Sequence, residues 1–194
     1  MLESFERFNV NKRLCLVFAA LAALPFAVLA QDSAAAPANP IAASERGFYT
    51  LVSGEVIAAA EKMPEENYSF KPTADVRSFG QLIGHVADAQ YSFCSTAAGD
   101  SLSPKGIEKT KTSRAELVAA LKDAVAYCNK VYSAMTDAKG SQMVKLMQFN
   151  VARLSVLSVN TAHTDEHYGN MVTYLRMKGI VPPSSERPAG QGQK

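Results

Sequence analysis

SFGQLIGHVADAQYSFCSTAAG, Ser78 to Gly99, carries the start, the face and the stop of one amphipathic helix. The Ser78 hydroxyl can accept from the free N–H groups of a first helical turn. Gln81, three residues on, can return a bond to the Ser78 backbone, which completes a capping box. Phe79, Leu82, Ile83, Val86, Phe93 and Ala97 then recur at helical spacing, and Gly99 supplies a natural stop. A helix with one apolar face needs partners that bury that face.

Partners of the same kind lie on either side. Upstream, Phe48, Val52, Val56, Ala59 and Met63 place a helix from about Ser44 to Met63, ended by Pro64. The segment EENYSFKPTADV between the two reads as irregular, with Pro72 holding Lys71 extended. Downstream, DSLSPKGIEKTKT (100–112) reads as a polar loop. Ser113 and Glu116 form a second capping-box pattern, opening a helix through Leu117, Leu121, Ala124, Val125, Val131, Tyr132 and Met135 to about Thr136. The last pattern runs from about Gln142 to Lys178, with Gly179 and then Pro182 and Pro183 beyond it. No segment reads as a strand. The expectation is an all-α four-helix bundle over residues 44–180. The loop at 100–112 is long enough to cross between the second and third helices.

The ends differ from the body. Lys12 and Arg13 precede an uncharged apolar run, Leu14 to Ala30. Val28 and Ala30 are the small residues a signal peptidase needs, so cleavage is expected after Ala30. A retained membrane anchor is the alternative, but the run is 17 residues, short for a span of about 20. Residues 1–30 therefore read as a signal peptide, and the mature protein as periplasmic or secreted. Residues 31–43, rich in Ala and Pro, read as a flexible linker. Residues 181–194 read as a disordered tail.

The 194 residues are 47% hydrophobic and 20% charged, a globular balance for one domain. The formal charge is +2, and losing three basic and two acidic residues with the leader leaves +1. No basic surface for nucleic acid is implied, nor a membrane partner once the leader is removed. Cys15 departs with the leader. Cys94 and Cys128 remain, an even pair in an oxidising compartment. Both fall on inward stripes, so they read as a disulfide, as two buried thiols, or as a site with a catalytic thiol.

The chain has three histidines. His163 and His167 sit four apart on the last helix, on one face, in a stripe with Val156, Val159, Met171 and Tyr174. Asn160 and Asn170 flank them as candidate hydrogen-bond donors. His85 lies beside the apolar stripe of the second helix. If those helices pack together, three imidazoles can converge on a metal and leave coordination positions open for water or substrate. The other reading is three ordinary helix residues. HTDEHYGN also matches the H-x-x-E-H peptidase pattern, with Glu166 as base. That chemistry needs an acidic ligand downstream, and Glu186 in the tail is the sole acid there. Asp88, Tyr91, Asp165, Glu166 and Tyr168 are near the histidines in sequence. Asp88 is placed to orient an imidazole or act as a base, or it is simply solvated. Arg176 is a candidate for an anionic substrate or a helix-dipole partner.

Two blocks resemble a known family. SFGQLIGHVADAQYSFCS (78–95) and HTDEHYGNMVTYLRMKGIVPPSS (163–185) are similar to the second and last helices of DinB-like (DinB/YfiT-type) proteins. The resemblance implies a four-helix bundle holding a divalent metal, zinc or nickel, on His85, His163 and His167. It also implies thiol-dependent transferase or isomerase chemistry with low-molecular-weight thiols such as bacillithiol or mycothiol. Export departs from that picture, because those thiols are cytosolic, so a hydrolase is equally compatible. The competing class is a non-catalytic bundle with a structural metal or none. The substrate is an unidentified small molecule, the catalytic residues are unassigned, and a homodimer is left open.

Overall fold

The computed structural model describes residues 38–102 and 105–186. The leader, its cleavage point after Ala30, and most of the linker lie outside these residues. Among the described residues no helix is long and apolar enough to cross a membrane.

Four long helices carry the core: α1 (Pro40–Lys62), α2 (Phe79–Ala98), α4 (Arg114–Ala134) and α6 (Arg153–Met177). Two single turns, α3 (Ile107–Thr110) and α5 (Asp137–Gly140), a 3₁₀ turn (Glu65–Asn67) and a hairpin of β1 (Met143–Leu146) and β2 (Phe149–Ala152) lie between them. Both α1 and α2 pack against α4 and α6, so α1 lies diagonal to α2 and α4 diagonal to α6. The long 99–113 connection thus joins neighbouring helices rather than crossing. The diagonal passages are 63–78 and 135–152.

The local signals explain most boundaries. Gln81 N–H donates to Ser78 Oγ at 3.2 Å, and Ser78 N–H to Gln81 Oε1 at 2.9 Å. Gly99 closes α2 at φ 83°, a left-handed conformation that glycine adopts without a Cβ clash. At Ser113 the hydroxyl accepts from Glu116 N–H and donates to the Glu116 carboxylate. Gly179 turns the chain out of α6 at φ 72°.

Three boundaries differ from expectation. α1 starts at Pro40, so 40–43 are helical rather than linker. Proline suits the first turn, where its missing N–H costs nothing, and Asp137 from α5 accepts from Ile41 and Ala42 N–H. The last helix starts at Arg153, because 143–152 form an antiparallel hairpin pairing Met143 with Ala152 and Leu146 with Phe149. The expected absence of strands is corrected there. The tail is ordered through Glu186: Pro183–Ser185 form a 3₁₀ turn, and Tyr168 and Ser184 exchange hydrogen bonds at 2.7 and 2.8 Å.

One network of buried polar side chains sets the register of α2 against α6. Gln90 Oε1 accepts from Tyr49 OH at 3.0 Å and from Asn160 Nδ2 at 2.9 Å, while Gln90 Nε2 donates to Thr164 Oγ1 at 2.9 Å. Gln90, Asn160 and Thr164 are buried, and a buried amide left unpaired is costly. A slip of α6 would break several of these bonds at once. Gln90 lies near His85 on α2, and Asn160 and Thr164 bracket His163 on α6, so the same register aims the histidines. Cys94 and Cys128, both fully buried, are joined as a disulfide between α2 and α4, with Cα atoms 5.4 Å apart.

Candidate metal centre

His85 projects from α2 and His163 and His167 from adjacent turns of α6. His163 Nε2 lies 3.1 Å from His85 Nε2 and 3.1 Å from His167 Nε2. One ring nitrogen from each of the three histidines falls within 4.8 Å of the others. Ligands about 2.0–2.1 Å from a shared metal stand about 3–3.4 Å apart for angles near 90–110°, so the two short separations fit.

The opposite ring edges decide which nitrogens carry protons. His85 Nδ1 is 3.2 Å from Glu108 Oε2. An ionised carboxylate only accepts, so Nδ1 carries the hydrogen and the Nε2 lone pair faces inward. His167 Nδ1 has the Asn170 amide at 3.4 Å. His163 Nδ1 is buried with no partner among the described residues. With one proton per neutral ring, a single Nε2–H can bridge only one of the two 3.1 Å separations. The other 3.1 Å contact is left without a hydrogen bond. A cation accepted by all three removes the conflict, so the donor set fits a metal.

Electrostatics favour the same state. Burial, then the neighbouring imidazoles, lower the His167 pKa to about 4. Burial, then His85, also lower that of His163. Both rings are therefore neutral at pH 7, as ligands must be.

Glu108 reaches His85 because α3 lies directly on α2. Asp88 accepts from Ile107 and Glu108 N–H, each at 3.0 Å. A Cβ on Gly84 would stand 2.6 Å from Glu108 Cα, so glycine is what permits the approach. Glu108 Oε1 also accepts from Arg77 Nε at 2.9 Å. Beside His167 a cleft of about 540 Å³ opens, lined by Arg77, Glu108, His167, Asn170 and Tyr174 among others.

The three predicted histidines are thus brought together. Asn170 reaches His167, whereas Asn160 belongs to the core network. Asp88 acts on the site only through α3. Tyr91 stacks on Tyr127, Tyr168 secures the tail, and Arg176 bonds Ser185 at 3.1 Å, away from the histidines. Glu166 lines the cleft, but Glu186, the downstream acid of the peptidase reading, pairs with Lys62. Sequence reasoning missed Glu108, Arg77 and Gly84; the glycine beside His85 was the available hint.

The profile of the DinB superfamily matches residues 49–171. The chain belongs to the DinB superfamily. Among solved structures it is similar to a DinB-like protein from Bacillus subtilis, with TM-score 0.60 and 18% identity, covering 74% of this chain and 99% of that one. A DinB-like protein from Bacillus cereus gives TM-score 0.63 and 16% identity over 71% and 94%. A mycothiol-dependent maleylpyruvate isomerase gives TM-score 0.56 and 16% identity over 79% and 82%. No curated protein matches. Within the DinB frame, the histidine cluster lies where α2 meets α6.

Proposed function

We propose that this DinB-superfamily chain is an exported metal-dependent enzyme in which His85, His163 and His167 hold one divalent ion, zinc or nickel. The observation that carries the reading is the convergence of three imidazole Nε2 atoms, two separations being 3.1 Å, with the His85 tautomer set by Glu108. Neutral imidazoles suit both metals, and three ligands leave positions open to a substrate. A divalent ion there supplies Lewis acidity that lowers the pKa of a thiol or water in the cleft. The chain's own residues turn three Nε2 atoms inward, Glu108 fixes the lone pair of His85, and the cleft beside His167 offers access. Similarity to a mycothiol-dependent isomerase favours thiol-transferase-like chemistry, and export favours hydrolysis. The joined cysteines support an oxidising compartment.

The test is metal analysis of protein purified from the exported fraction, with its N-terminus sequenced. The expectation is about one zinc or nickel per chain, lost in His163→Ala, and Gln31 as first residue. Less than about 0.2 metal per chain in the wild type overturns the metal reading. An N-terminus that retains the leader overturns processing.

A further inference from the structure

We infer that the cleft beside His167 takes a small molecule bearing a carboxylate, and that Arg77 holds that carboxylate; the inference rests on the metal-centre reading above. Arg77 is fixed at both ends. Its backbone carbonyl accepts from Tyr174 OH at 2.8 Å, and its Nε donates to Glu108 at 2.9 Å. Glu108 is in turn held by the Asp88-capped α3 and by His85.

The two terminal nitrogens of Arg77 make no hydrogen bond among the described residues, although the side chain lines the cleft. A guanidinium held by Nε alone keeps its end face for a bidentate carboxylate. Glu108 takes Arg77 Nε through one oxygen and His85 Nδ1 through the other, and makes no bond to the two terminal nitrogens of Arg77. Asp75 and Glu166 also line the cleft and are exposed; Lys71 lines it with the opposite sign. That mixed wall disfavours a polyanion and leaves selection to the one fixed fork. A ligand seated there has one end on Arg77 and the other beside His167.

The test uses cobalt-loaded full-length mature protein and three mercaptocarboxylates of increasing length, each paired with its neutral amide. Binding is read from thiolate-to-cobalt absorption, after cobalt content has been measured. For at least one pair, the wild type is expected to bind the acid about tenfold or more tightly than the amide. Arg77→Gln should abolish that preference; because Arg77 also bonds Glu108, cobalt content is measured for each variant and acid and amide are compared at equal loading. Arg77→Lys should restore the preference in part. Equal affinities for acid and amide in every pair overturn this inference and leave the metal centre standing. A preference that survives Arg77→Gln overturns it too. Failure to take up cobalt, seen before any thiol is added, overturns the metal reading and this inference with it.

Discussion

At the scale of single residues, Glu108 shows how an ordinary histidine is prepared to take a metal. An imidazole has two near-equivalent nitrogens, and the hydrogen bond made by one decides what the other offers. With a carboxylate at His85 Nδ1, the Nε2 lone pair is committed to the centre and the ring is more basic toward a cation. Glu108→Gln keeps the shape and removes the charge. Metal affinity should fall about 10–100-fold, measured by competition against a chromogenic chelator at pH 7. The wild-type melting temperature without metal should be nearly kept, since Glu108 is partly exposed. Unchanged metal affinity would show that Glu108 merely salt-bridges Arg77.

At the scale of elements, α3 is one turn long and would not persist alone. It persists because Asp88 satisfies two of its free N–H groups, buried Ile107 anchors it, and Gly84 lets its backbone lie against α2. Gly84→Ala should therefore displace Glu108 from His85. The expected result is about 1–3 kcal/mol of lost stability in urea, together with weaker metal binding. A variant with full metal affinity would mean that α3 is not what holds the site. The starts of α2 and α4 were legible because each cap and its partner lie three residues apart. The start of α1 was not, since its capping carboxylate, Asp137, is 95 residues from Ala42. The hairpin was misread because Met143, Met147, Val151 and Leu154 fall at helical spacing, and its turn carries Met147 at φ 52° instead of the Asn or Gly that marks such turns. The three histidines were legible as inward positions on two helices. Glu108 and Arg77 were not, because their pairing spans 31 residues and neither has a periodic pattern.

At the scale of the whole molecule, the site depends on how rigidly α2 is held between its neighbours. The Gln90 network fixes α2 to α6, and the Cys94–Cys128 bridge fixes α2 to α4, 34 residues along the chain. In the chain-entropy account, closing a loop of that length contributes about 4 kcal/mol by restricting the unfolded chain. That is a large share of a domain's usual 5–15 kcal/mol. The bridge lies about two and a half turns beyond His85 on α2, so it should govern stability more than metal affinity. Residues 31–194, denatured without reductant, should titrate no free thiol. Cys94→Ala/Cys128→Ala should lose roughly 2–5 kcal/mol in urea while still binding about one metal per chain near the wild-type affinity. Two thiols titrated in the unreduced protein would show the pair to be buried free cysteines. Metal lost along with stability would show that the α2–α4 clamp, and not the Gln90 network alone, sets the position of His85.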